Sequence, residues 1–328
     1  MEYFIEYLLF LSKFVSVVIV LAIVMVAVII IIMRTKSAHD GHIEIKNLNQ
    51  KFDEMGLLLK SQVLTKKELK QAIKKLKIEH KEKEQHLEKT NDKKNIFVLN
   101  FKGDIKASEV ESLREEITSI LTVAKSSDEV VLVLESAGGT VHGYGLAASQ
   151  LKRIRDRGIS LTVAVDKVAA SGGYMMACVA NKIVAAPFAI IGSVGVLAQL
   201  PNFHRLMKKY DIDYEQLSAG EYKRTLTLFG ENNDKDREKF QEELEDTHEL
   251  FKEFIKDNRN QIDIEKIATG EHWYGKRALD LQLVDELITS DDYLYTAATD
   301  ANIYEITQIR KKAISEKLFS LGMKLFGY

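Results

Sequence analysis

Proline and cysteine are nearly missing from this 328-residue chain, which has two prolines, Pro187 and Pro201, and one cysteine. A single cysteine excludes an internal disulfide and a cysteine-rich zinc site. Two prolines leave few helix breakers. An excess of one charge is also lacking: 46 Lys and Arg stand against 48 Asp and Glu, a net charge of -2. Without a bulk positive field, no nucleic-acid partner is expected. Neither a P-loop nor an HExxH pattern occurs, so no nucleotide, metal or other cofactor is expected. With 46% hydrophobic and 29% charged residues, disorder as the overall state is excluded, as are collagen-like and mucin-like compositions.

Behind these averages lie distinct regions. After a short flank, residues 1–13, comes the uncharged run Phe14 to Met33, FVSVVIVLAIVMVAVIIIIM, without Gly or Pro. Its twenty residues would span roughly 30 Å as a helix, the thickness of a bilayer's hydrocarbon core. The run is too long for a cleaved signal peptide, and Arg34, Thr35 and Lys36 follow it in place of a small-residue cleavage site. A retained single-pass transmembrane anchor over 14–33 is therefore expected. Arg34, Lys36, Lys46 and Lys51 follow it, and Lys13 with Glu2 and Glu6 precedes it. That asymmetry favours a cytoplasmic body.

Residues 34–94 read as a charged helical stalk. Ile45, Leu48, Phe52, Met55 and Leu59 recur at spacings of three and four, an a/d seam. Lys60 to Lys94 holds twelve Lys and six Asp or Glu. A solvated spacer with some self-association is the plainer reading; a basic membrane-surface or partner-binding helix is the alternative.

From Asn95 the pattern alternates strand and helix. Ile96 to Phe101, Glu129 to Ser136, Ile159 to Val165 and Lys182 to Ala186 read as strands, while Ser108 to Ala124, Gly143 to Arg157 and Ser171 to Ala180 read as helices. Such alternation implies parallel βαβ units, an α/β domain over 95–300. Asp234 to Asn258 reads as a long amphipathic helix, and 301–328 as a strand and helix extension. The uncharged stretch Ile183 to Leu200 contains Pro187, Gly192, Ser193 and Gly195, which favours a buried strand and turn over a second membrane span.

Two glycine motifs lie beside reactive groups. ESAGGTVHGYG, Glu135 to Gly145, follows a strand; Gly138 and Gly139 there form either a tight turn or a pair of N–H groups facing an oxyanion. In AASGGYMMA, Ala169 to Ala177, Ser171 begins a helix. It is either a helix cap or a nucleophile beside a favourable dipole. A serine nucleophile needs a base. His142, the histidine nearest a glycine loop, reads more simply as a loop residue. Lys223 lies in SAGEYKRTLT after a predicted strand. A lysine, with a pKa of about 10.4, acts as a base near neutrality only when desolvation lowers that value by about three units.

The ordered motifs SAGGTVHGYG, VDKVAASGGYMMA, IIGSVGV, SAGEYKRTLTLFGEN and ATGEHWYGKRALDLQLVDEL resemble those of the signal peptide peptidase A family of membrane-anchored serine–lysine proteases. The resemblance runs from Ile96 to Ile288. It implies Ser171 as nucleophile and Lys223 as general base. It also implies Gly138, with Gly139 beside it, as oxyanion donor, and Ser193 as the serine that orients the lysine. It implies a crotonase-like, ClpP-like fold of repeated ββα turns, and a homo-oligomeric ring with the dyad shared across a protomer boundary. The expected partners are thus peptide or unfolded-protein substrates, the membrane and further copies of the chain. The expected place is the bacterial inner membrane, with the body on the periplasmic face, against the lean of the flanking charges. Two positions depart from the family pattern: Ala137 stands where many relatives have Pro, and Gln282 where a Gly is usual. A catalytically silent, membrane-tethered scaffold is the competing reading. Acyl-CoA chemistry on the same fold would need a suitably placed acid or base carboxylate, which neither glycine motif offers.

Overall fold

In the computed structural model of the chain, the described residues are 11, 13–21, 24, 25, 41–71, 73–75, 78 and 93–309. Residues 11, 13–21, 24 and 25 are helical. Among the described residues no helix is long and apolar enough to cross a membrane. The expected anchor over 14–33 lies in good part outside them, as do most of the charged half of the stalk and the end of the C-terminal extension. The chain divides into two compact units, Met1–Glu44 with Gln308–Tyr328, and Ile45–Thr307. The second holds every residue of the candidate site.

A seven-stranded sheet runs in the order β1-β10-β2-β3-β4-β6-β9. Its strands are β1 (His42–Asn47), β2 (Asn95–Lys102), β3 (Glu129–Glu135), β4 (Ser160–Val165), β6 (Lys182–Ala185), β9 (Glu286–Leu287) and β10 (Asn302–Ile309). From β10 through β9 every pairing is parallel. The strand sequences explain this arrangement. A sheet covered on both faces needs near-continuous apolar runs, and β3 reads EVVLVLE.

Alternation along the strands sorts side chains onto the two faces. Ile96, Val98, Val131, Ala164 and Val184 pack with Leu48 of α1 (Leu48–Val63) and Leu294 of α9 (Ser290–Ala297). On the other face Phe101 meets Tyr144 of α3 (Val141–Arg155) edge-on at 6.4 Å, and Phe97 lies near the end of α2 (Val110–Leu121). The mixed α/β class expected from the sequence is present.

Two segments set apart from this domain in the sequence reading are built into it. Leu48 is buried, and the Asn49 amide donates to the carbonyls of Ala298 and Ala301, both at 3.0 Å, and accepts from Ile303 N–H at 2.7 Å. The first turns of the supposed stalk thus dock on the sheet, while Met55, Leu58, Leu59 and Val63 remain exposed as a seam would leave them. Ile45, the first residue of the expected seam, is exposed in β1 and is not part of the helix. Strand β10, placed in the extension, pairs directly with β2.

A second sheet of three short strands carries the chemistry: β5 (Val168–Ala170), β7 (Ile190–Gly192) and β8 (His272–Tyr274), in the order β5-β7-β8. The remaining helices are α4 (Gly172–Ala177), α5 (His204–Lys209), α6 (Asp234–Asn258), α7 (Ile264–Ile267) and α8 (Gly275–Asp280). The Ile183–Leu200 stretch supplies β6, a turn and β7, as its glycines and proline suggested.

Candidate active site

Ser171 follows β5 and precedes α4. Parallel pairing sets Ala170 opposite Gly192, and one residue further on the Ser171 N–H donates to the Gly192 carbonyl at 2.7 Å. Its backbone has φ 51° and ψ -119°, a conformation that costs a residue with a Cβ about 1–3 kcal/mol. Its side chain makes no capping hydrogen bond. The plain explanation of a serine at this position, a helix cap, is therefore not what the hydroxyl does. A strained strand–turn–helix with a serine at the turn has the local form of a nucleophile elbow, here without the GxSxG sequence.

The other glycine motif is fastened beside it. Ser136 N–H donates to the Val168 carbonyl at 2.8 Å, and Ala170 N–H to the Ser136 carbonyl at 3.0 Å, so the end of β3 is zipped to β5. Gly138 follows with φ 90°. A Cβ there would lie 2.8 Å from the Ser171 Cβ and 2.7 Å from the Gly172 nitrogen, so only glycine lets the two turns approach this closely. Of the two N–H groups expected to face an oxyanion, that of Gly138 already donates to Ser136 Oγ at 3.0 Å. The N–H groups of Gly139 and of Gly172, the first residue of α4, have no acceptor among the described residues.

Ser193 ends β7 as Ser171 ends β5. It also has a positive φ, 53°, and its N–H donates to the Glu271 carbonyl at 2.7 Å. The structure thus brings Ser171, Ser193 and the Gly138–Gly139 turn to one end of the small sheet.

Lys223 is not joined to them by a hydrogen bond within one chain. No strand precedes it: 211–233 carries no helix or strand, and Lys223 lies exposed in a turn, its N–H donating to the Gly220 carbonyl at 3.2 Å. The expected strand fails because DIDYEQLSAG offers no sustained apolar alternation. Side-chain bonds fix the segment instead. Glu221 pairs with Lys235 of α6 at 2.7 Å, and the Tyr222 ring lies under Lys235 and Lys239. Asn202 donates to the Thr227 and Gly230 carbonyls at 2.9 and 3.0 Å. Leu197, at 78% exposure, and Leu217, at 95%, are exposed apolar side chains of the stretch between β7 and α6.

Other reactive groups are accounted for. Cys178 is buried, and burial pushes its thiol up to about 12, so it stays protonated and unreactive. His142 is an exposed residue at the start of α3, and His272 an exposed residue of β8. Among the described residues no group of three or more His, Cys, Asp or Glu converges to hold a metal ion.

Two family models match successive parts of the chain: the N-terminal region of peptidase family S49 over residues 2–151, and peptidase family S49 itself over 153–304. The chain belongs to peptidase family S49. That membership places it among the hydrolases of the peptide bond and agrees with the resemblance read from its motifs. It is 54% identical over 286 residues to the probable protease SohB of Haemophilus influenzae, covering 84% of this chain and 81% of that one. To the putative protease SohB of Buchnera aphidicola subsp. Baizongia pistaciae it is 44% identical over 335 residues, 99% of this chain and 96% of that one. A putative protease of Methanocaldococcus jannaschii is 32% identical over 177 residues, 53% and 56% of the two chains.

Proposed function

We propose that this S49 peptidase is a membrane-anchored serine endopeptidase working through a Ser171 acyl-enzyme with Lys223 as general base. The observation that carries the reading is the strained, uncapped Ser171 turn with the Gly138–Gly139 turn fastened against it. The Ser171 hydroxyl attacks the peptide carbonyl carbon while the lysine amine takes its proton. The tetrahedral oxyanion is held by free backbone N–H groups of the two glycine turns, Gly139 and Gly172. On collapse the C–N bond breaks and the lysine gives the proton to the leaving amine. It then takes a proton from water as the water oxygen attacks the ester carbonyl, and returns that proton to Ser171 Oγ as the ester C–O bond breaks, releasing the carboxylic acid product. Ser193 orients the amine without adding charge.

A lysine serves as base only when desolvated, and Lys223 is exposed in a single chain. A second copy closing over Lys223 would supply that desolvation and bring an amine to Ser171, and exposed apolar residues such as Leu197 and Leu217 would be available to such a contact. A homo-oligomeric ring with a shared dyad on a ClpP-like fold would provide that closure. The hydrophobic run over 14–33 supports an anchor in the inner membrane. The body lies on the periplasmic side, and extended segments of membrane-associated or misfolded chains are the substrates, bound by strand addition.

The exposure of Lys223 equally suits a second reading, a silent membrane-tethered scaffold. A fluorophosphonate probe separates the two. The peptidase reading expects covalent labelling of the wild-type chain that disappears in Ser171→Ala. Absence of labelling in folded, assembled protein would favour the scaffold.

A further inference from the structure

Ser136 and Tyr144 belong to the SAGGTVHGYG motif and have no part in the dyad, yet both are buried, at 2% and 0% exposure. We infer that they are positioning residues that set the oxyanion-binding turn. The kinetic consequence rests on the peptidase reading above, and the geometry does not.

The hydrogen bonds among them run in one direction. Tyr144 Oη donates to the Asp104 carbonyl at 2.8 Å, which uses its single proton. The 2.5 Å contact between Ser136 Oγ and Tyr144 Oη must then be donated by Ser136. Ser136 Oγ in turn accepts from Gly138 N–H at 3.0 Å. The path closes on the far side, where Thr140 N–H donates to the Ile105 carbonyl at 2.8 Å. A ring of bonds therefore encircles Gly138 and Gly139, and each hydroxyl in it has a donor and an acceptor.

Its members are held independently. The Ser136 backbone is zipped to β5. The Asp104 carboxylate accepts from Ser108 N–H and Ser108 Oγ, both at 2.8 Å. A Cβ on Gly172 would overlap the Tyr144 ring, so the same tyrosine braces both turns. Burial raises the pKa of the Tyr144 hydroxyl against the opposing Ser136 bond, and Asp104 adds to the rise; it stays a neutral donor. The consequence is directional: Gly138 N–H is drawn inward, and Gly139 N–H is the donor the turn leaves for a ligand.

Ser136→Ala and Tyr144→Phe each remove one oxygen and keep the packing. In either variant kcat for peptide hydrolysis, counted per probe-titrated Ser171, should fall on the order of tenfold to a hundredfold. KM should stay within about twofold. The double variant should fall no further than the worse single one, because the bonds act in series. Unchanged kcat per titrated site, with only a lower melting temperature, overturns the inference. Amide hydrogen exchange tests the geometry without catalysis. In the wild-type chain the Gly138 amide should exchange more slowly than that of Gly139, and Ser136→Ala should speed it by about tenfold while the Ala170 amide is unaffected. Equal exchange at Gly138 and Gly139 would overturn the inference even if the peptidase reading stood. Slow Gly138 exchange in a chain that no probe labels would spare it while that reading fell.

Discussion

Five described residues other than glycine have a positive φ, and three of them bear on the argument: Ser171 at 51°, Ser193 at 53° and Gln282 at 60°. At Ser171 and Ser193 the strain sits where a hydroxyl must be presented at the end of a strand. At Gln282 it serves a helix stop. Gln282 N–H donates to the Leu279 carbonyl at 3.0 Å and Leu283 N–H to the Ala278 carbonyl at 2.9 Å, the bond pattern of a Schellman motif with Gln at the position glycine prefers. Leu283 and Ala278 are buried beside it. The left-handed conformation costs an L-residue about 1–2 kcal/mol, and glycine's greater freedom in the unfolded chain returns about half of that. Gln282→Gly should therefore stabilise the protein by about 0.5–1 kcal/mol in urea unfolding and leave peptidase activity unchanged. The Gln282 carbonyl that accepts from Arg259 at 2.9 Å survives the change. A loss of stability would mean that the glutamine side chain makes a contact worth more than the strain.

Among the elements, α1 shows how one sequence pattern can serve two structures. The a/d spacing of Leu48, Phe52, Met55 and Leu59 suits a coiled-coil seam, yet Leu48 and Phe52 lie on the chain's own sheet, and Ile45, which the spacing had added to the seam, belongs to β1. The choice is made by Asn49, whose side chain ties the helix to the end of α9 and the start of β10. Asn49→Ala should cost about 2–3 kcal/mol, since three bonds are lost around partly buried backbone groups. A melting temperature unchanged from wild type would return α1 to the role of a free stalk.

Strands β2, β3, β4 and β6 and helix α6 were legible in the sequence because each is long enough, or apolar enough, for its period to show. Strands β5, β7 and β8 have three residues each and show no period. It is their pairing that sets Ser171 beside Ser193, so the motifs named the residues and long-range register assembled them. Ser136 and Tyr144 escaped notice for the same reason. Their partners, Asp104 and Gly138, are brought together by the β2–β3 pairing. The turn bearing Lys223 is held by side chains from α6, which no local pattern announces.

For the whole molecule, the described chain holds the strained Ser171 turn, proposed as nucleophile, and the exposed Lys223 amine, and no hydrogen bond links them. Two features bear on the proposal: the exposed apolar side chains of Leu197 and Leu217, and the dry setting that a lysine needs to act as a base. In the proposed ring of identical copies, one interface over Lys223 would complete every site at once. Mixing two inactive variants, Ser171→Ala and Lys223→Ala, is the most direct test. Hydrolysis should return when the chains are refolded together, because some boundaries then pair an intact serine with an intact lysine. Co-assembled chains that stay inactive, with each variant separately folded, would contradict a dyad shared between protomers.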